Sequence, residues 1–173
     1  MKPVINIADL EYVSDGPNVP GKSASVATLI GAKKLGYNVS LCPPGKSVCP
    51  FHNHHVNEEM IFILQGDGTL RFGDQSYSLQ SGDFVACPPG GREVAHQIIN
   101  TGTVDLKYIA LSTLLDEEIC EYPDSNKVGV FVGEQVNRKL RKLFVMDQSV
   151  PYAHGETADC LWENKPSKQG LTR

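Results

Sequence analysis

At 173 residues, 40% of them hydrophobic, the chain is long enough to bury one core and is of single-domain size. Sixteen basic and twenty acidic residues leave a net charge of −4, and the one locally basic stretch, Arg138 to Lys142, reads as a solvated face, so nucleic acid is not an expected partner. The longest apolar runs fall far short of the ~20 residues that cross a bilayer, and Met1 to Asp9 lacks the apolar stretch of a secretory signal, so a cytoplasmic protein without membrane attachment is expected.

Residues 1–35 contain Pro3, Pro17, Pro20 and several glycines, and predict an arm with one or two edge strands. Residues 36–115 are a series of short apolar or alternating runs: Gly36 to Leu41, Met60 to Leu64, Thr69 to Phe72, Ser76 to Leu79, Asp83 to Ala86, Ala95 to Asn100 and Leu106 to Leu114. Turn residues separate them, as in Gln65-Gly-Asp-Gly68, Phe72-Gly-Asp-Gln75 and Gln80-Ser-Gly-Asp83. Evenly spaced short strands of this kind predict a sandwich or barrel. Residues 116–163 predict an extension packed on the barrel, partly irregular or short-helical. There Asp116 to Glu121 reads as a short helix, and Val136, Leu140, Leu143 and Phe144 fall at helical spacing. Residues 164–173 are polar and read as a mobile tail.

Five cysteines without a C-x-x-C pair suit neither a disulfide framework nor a structural zinc knot. Two of them open the same tetrapeptide, Cys-Pro-Pro-Gly, at 42–45 and 87–90. In each copy an apolar strand enters a proline turn, and a histidine follows the glycine after six or seven residues.

The densest chemistry is His52-Asn53-His54-His55-Val56-Asn57-Glu58-Glu59, just before an apolar strand. Alternate residues of a strand share a face, so His52 and His54 can aim two imidazoles at one point while Glu59 returns a carboxylate from the next strand. His96, 42 residues after His54 and also beyond a Pro-x-Gly turn, is the best fourth ligand. Glu58 competes with Glu59 for the ligand position and is otherwise the candidate proton-moving, catalytic residue. His55 points away from His54, and His154 reads as unrelated to the metal. Asn100, on the face of His96 and Ile98, reads as a structural hydrogen-bonding residue.

Gly45, His52-x-His54, Glu59 and Gly66, then Gly82, Pro88-x-Gly90, His96 and Asn100, resemble the two motifs of the cupin superfamily. The segments Gly45 to His52 and Gly90 to His96 are longer than the usual pattern. The resemblance implies an all-β double-stranded β-helix, or jelly-roll barrel, holding one divalent transition metal ion on His52, His54, Glu59 and His96. Nitrogen and oxygen donors without thiolate suit Fe, Mn, Ni, Co or Zn alike. Tyr122-Pro-Asp-Ser-Asn-Lys127 and Tyr152-x-x-Gly155-Glu156 are similar to a bacterial cupin group labelled sugar-phosphate isomerase-like.

With Glu59 facing the metal, Ile61 and Ile63 share the interior while Met60, Phe62 and Leu64 point outward, so the outer face needs cover from the N-terminal arm or from a second subunit. A homodimer is expected. Tyr122, Asp124 and Lys127 form either a plain polar turn or a pocket rim; Arg92 and Lys127, if both reach the barrel mouth, favour an anionic ligand. Two classes of function follow: a metal-dependent enzyme acting on a small oxygenated metabolite by isomerase- or dioxygenase-type chemistry, or a metal-dependent small-molecule sensor without turnover.

Overall fold

The computed structural model describes residues 3–14, 16, 20–134 and 137–156. Val136 and the tail 164–173 lie outside these residues. Twelve strands run in chain order: β1 (Lys22–Ser25), β2 (Leu35–Cys42), β3 (Asn53–His54), β4 (Glu59–Gln65), β5 (Gly68–Phe72), β6 (Gln75–Leu79), β7 (Phe84–Cys87), β8 (His96–Ile99), β9 (Leu106–Thr113), β10 (Glu117–Tyr122), β11 (Lys127–Val132) and β12 (Leu140–Val145).

One wall is a five-stranded sheet in the order β1-β2-β9-β4-β7, antiparallel throughout. The other wall is assembled from β12-β11-β10-β3 and β6-β5-β8. A bridge between His52 and His96 joins these two pieces at β3 and β8. The result is the expected double-stranded β-helix. Its core lies between the walls, where Ile61, Ile63, Leu70, Ile98, Leu106 and Tyr108 are buried. Alternation along β4 is as the sequence predicts, with Ile61 and Ile63 inside.

Gly66 ends β4 with φ +84°, a conformation that L side chains rarely adopt, and a Cβ there would sit 2.8 Å from the Asp105 carbonyl oxygen. The motif glycine is therefore a packing requirement as well as a turn residue. Asn100 is fully buried and donates from Nδ2 to the carbonyls of Cys42 and Val104, while its Oδ1 accepts from Gly102 N–H. It ties the first Cys-Pro-Pro-Gly turn to the loop before β9, the structural role its position suggested.

The N-terminal arm covers part of the outer sheet face. Leu10, Ala24 and Val39 form a second buried cluster, joined by Ile5, Ile7, Leu64 and Ile109. Besides β1, the arm holds a helix, α1 (Val26–Ile30), capped by Gly31 in the left-handed conformation. Phe62 packs on Phe84 at 4.4 Å between ring centroids, and Phe84 remains 71% exposed.

The C-terminal extension corrects the sequence reading. Asp116 to Glu121 is not helical: β10 pairs with both β3 and β11, and Leu140 to Val145 is strand β12 along the full length of β11. The acidic residues have weak strand preference, but β3 supplies a waiting edge and pairing overrides local tendency. Leu140 and Phe144 share one face of β12 while Leu143 lies on the other, so their helical spacing is coincidental.

Candidate metal centre

His52, His54, Glu59 and His96 meet between the two walls, brought together from β3, β4 and β8 and the residue before β3. The Glu59 carboxylate is the hub: its Oε2 lies 3.2 Å from Nε2 of His96, 3.5 Å from Nε2 of His54 and 3.9 Å from Nε2 of His52. Ligand atoms held ~2.1 Å from one ion at angles between octahedral and tetrahedral lie about 3.0–3.4 Å apart; the Glu59–His96 spacing falls in that range, and the donor atoms of His52, His54 and Glu59 lie within 4.8 Å of one another, a set that closes on an ion by small side-chain movements.

Each imidazole is oriented through its other nitrogen. Nδ1 of His52 faces the Pro50 carbonyl at 2.9 Å, Nδ1 of His96 faces the Val94 carbonyl at 3.2 Å, and Nδ1 of His54 faces Glu118 Oε2 at 3.2 Å. An acceptor at Nδ1 fixes the proton there and leaves Nε2 available to a metal in all three rings.

Glu118 was not anticipated from the sequence. It is only 4% exposed, yet it carries a carboxylate into the barrel from β10. Besides His54 it accepts the backbone N–H groups of Val56 and Asn57 and the Asn57 side-chain amide. Asn57 in turn accepts from Thr113 Oγ1 and Leu115 N–H through its Oδ1. This network pins the loop between the two motif strands. Cys120, two residues along β10, places its Sγ 3.2 Å from His54 Nδ1. His54, Glu118 and Cys120 thus form a second donor group sharing one imidazole. The signal for them was present as the alternation Glu118, Cys120, Tyr122, masked by the helical reading of an acidic segment.

The charges are strongly coupled. Burial opposes charging of His54, but hydrogen bonds with Cys120, Glu118 and Glu59 outweigh it and push the imidazole up to about 12. Burial likewise opposes ionisation of Glu59, yet hydrogen bonds with His54 and His96 hold its carboxyl well below the usual range. Glu118 is lowered to about 2, with burial opposing and His54 and Asn57 prevailing. His52 is lowered to about 4, chiefly by burial and then by the neighbouring His96. These directions favour a charged His54 held between the Glu59 and Glu118 carboxylates when no metal is bound.

The remaining expected residues fall as follows. Glu58 is exposed, does not line the cavity, and offers its N–H to Thr113 Oγ1; adjacent strand positions face opposite ways, so Glu59 is the carboxylate in the cluster. His55 points out to Glu121 Oε1 at 2.8 Å, and Arg92 Nε pairs with the other Glu121 oxygen at 2.9 Å. Lys127 sits over the Tyr122 ring at 5.5 Å, and Tyr122 stacks on His52 at 6.3 Å between centroids. Asp124 takes a two-pronged ion pair from Arg71, at 2.6 and 2.8 Å. The Tyr122 to Lys127 turn therefore abuts the cluster through Tyr122, while neither Arg92 nor Lys127 is among the described residues lining the cavity beside it. His154 is exposed, beyond β12.

A cavity of about 180 Å³ opens beside the cluster, with His52, Glu59 and His96 in its wall. Cys49 also lines it, its thiol pushed up to about 12 by burial and then by Glu59.

Comparison with known proteins includes the segment that holds the cluster. Residues 38–112 match the family model described as Cupin domain. The oxalate-binding protein of Thermotoga maritima is 34% identical over 73 residues, covering 42% of this chain and 57% of that protein. The chain spans about half the length of the curated relatives it matches. A crystal structure from Acidithiobacillus ferrooxidans, of a protein named as a candidate sugar phosphate isomerase, superposes with a TM-score of 0.73 at 25% identity, over 87% of this chain and 96% of the other. A Silicibacter pomeroyi protein named a sugar phosphate isomerase of a cupin superfamily shares the fold, with a TM-score of 0.72 at 19% identity over 88% and 98%. Motif residues, β-helix and family match coincide on residues 38–112, the segment that is similar to the cupin domain.

Proposed function

We propose that this protein is a metal-dependent enzyme that acts on a small oxygenated metabolite at the His52, His54, Glu59 and His96 centre, by isomerase- or dioxygenase-type chemistry. One observation carries the reading: three imidazoles with Nδ1 already engaged converge through Nε2 on one buried carboxylate beside a cavity. A divalent ion there would supply Lewis-acid polarisation of a bound carbonyl or hydroxyl, with coordination positions left over for the ligand. The chain's own residues would do the rest. Glu118 holds the His54 ring in one orientation, and the apolar wall at Ile61 and Ile98 displaces water from the bound ligand. The names of the structural relatives support a small oxygenated substrate.

The binding reading keeps one specific support, the name of the Thermotoga relative as an oxalate-binding protein. Metal analysis of anaerobically purified protein, followed by oxygen-uptake and aldose–ketose isomerisation assays with the metal found, separates the branches. Oxygen consumption selects the dioxygenase, isomerisation without oxygen the isomerase, and stoichiometric metal with tight ligand binding but no turnover the binding protein. Absence of any metal bound at these four residues would sink all three.

A further inference from the structure

The cavity has a second polar region that the motif residues leave unused, and strand register shows where it lies. On the inner face of the five-stranded wall, Glu59 stands opposite Ser112 and Cys87. Two residues along β4, Ile61 stands opposite Ala110, which stands opposite Asn38 on β2. Two further, Ile63 stands opposite Tyr108, Tyr108 opposite Ser40, and Ser40 opposite Ser23 on β1. At ~3.4 Å per residue, successive rows are about 7 Å apart. From the cluster outward, the wall reads as carboxylate, then apolar with an amide at its edge, then three hydroxyls. Asn38, Ser40, Tyr108 and Ser23 all line the same cavity as His52 and His96.

These hydroxyls are not a solvated surface. Ser40 and Tyr108 are each 4% exposed, while Asn38 stands exposed at the edge. Burial, and then Cys49, push the Tyr108 phenol well above its ordinary value against the lowering effect of its hydrogen bond with Ser40, so the two hydroxyls line the cavity as a neutral, mutually bonded pair. Among the described residues lining the cavity there is no lysine or arginine. A phosphate drawn into this end would lose its hydration without gaining a cation, whereas a ligand hydroxyl would exchange water for hydroxyl and amide partners. Size points the same way. The cavity, about 180 Å³ and open on one side, is on the scale of a small sugar.

We infer that Asn38, Ser40 and Tyr108 form a specificity wall for the uncharged, hydroxyl-bearing end of a small ligand, so that the site takes a small neutral hydroxycarbonyl in preference to its phosphate ester. This rests on the reading of His52, His54, Glu59 and His96 as the metal centre that meets the ligand's other end.

The probes are erythrulose and erythrulose 4-phosphate, titrated by calorimetry and saturation-transfer NMR into Zn²⁺-loaded and metal-free protein. Erythrulose is expected to bind at least tenfold more tightly than the phosphate. Tyr108→Phe and Ser40→Ala, which each remove one hydroxyl and little volume, are expected to weaken erythrulose about five- to tenfold with Zn²⁺ affinity unchanged. A phosphate ester that binds as well as or better than erythrulose overturns the inference, as does wild-type erythrulose affinity in both variants. Failure of erythrulose to bind protein that holds Zn²⁺ stoichiometrically also overturns it and leaves the metal centre standing. If Zn²⁺ does not bind but metal-free protein still takes erythrulose in a Tyr108- and Ser40-dependent way, the metal reading fails and the wall is supported.

Discussion

His52 and His96 are 44 residues apart in sequence, yet they exchange both backbone hydrogen bonds, at 3.1 Å from His52 N–H to the His96 carbonyl and 2.7 Å in return. The bridge that joins the two pieces of the second wall is therefore made by two of the four metal-binding candidates. Their rings lie 4.7 Å apart between centroids as a direct result. Closing the barrel and positioning half of the cluster are one event.

Removing one ligand should be irreparable. His54→Ala is expected to lower metal affinity by more than the 10–100-fold typical of losing an orienting partner, because His55 is engaged outward with Glu121 and cannot substitute. Isothermal titration with Zn²⁺ or Mn²⁺ reads the change. His55→Ala should leave metal affinity within about twofold, and equal losses in the two variants would contradict this assignment.

Glu118 should matter to stability and to metal alike. Glu118→Ala strips acceptors from Val56, Asn57 and His54 in a buried setting, and breaking a buried charged network of this type costs about 3–5 kcal/mol. Glu118→Gln keeps an acceptor for the backbone N–H groups and should lose less. Denaturant unfolding checks the order, and metal titration of the folded fraction should show a 10–100-fold weaker site in both.

The metal-free protein should be most stable in a narrow acid window. His54 is raised from 6.5 to about 12, so its contribution is fully present below about 6.5 and is lost as pH climbs toward 12. Glu118 is lowered from 4.5 to about 2, so its contribution is present above about 4.5 and is lost as pH falls through 2. Thermal unfolding of metal-free protein should peak between these limits. Metal must displace the His54 proton, so calorimetry in buffers of different ionisation enthalpy should show close to one proton released per ion at neutral pH. Zero release would contradict the protonated cluster.

Cys49 and Cys87 are both pushed up to about 12, by burial first and Glu59 second. The thiolate is the reactive form, so both should resist alkylation at pH 8 in folded protein and react once it is unfolded. Peptide mapping after iodoacetamide treatment tests this, and prompt modification of either would show the wall to be open.

The outer face offers a test of assembly. Phe84 is 71% exposed against Phe62, at the end of a sheet whose other end the N-terminal arm covers. Light scattering is expected to give about twice the 18.9 kDa chain mass, and Phe84→Glu to shift it toward one. A wild-type protein that stays at one chain mass would show that the arm's cover suffices.

The barrel was legible because strand alternation and turn glycines are local signals: Ile61 and Ile63, or Gly66, need no distant partner to be interpreted. The four clustered residues were legible because paired short motifs carry them. Glu118 and Cys120 were not, since their meaning depends on the edge of β3, more than 60 residues earlier, which turns an acidic segment into a buried strand. Ser40 and Tyr108 look ordinary in sequence and acquire a role only through cross-strand register.

The segment that matches the family model ends at residue 112, while the carboxylate that steers His54 stands at 118. The support of the candidate cluster thus reaches beyond the segment that the family model matches. A chain cut after Thr113 would keep all four candidate metal ligands, yet His54 would lose the Glu118 contact, Asn57 its acceptor and β3 its neighbour. Transplanting only residues 38–112 would carry over the four candidate ligands without the strand that aims His54.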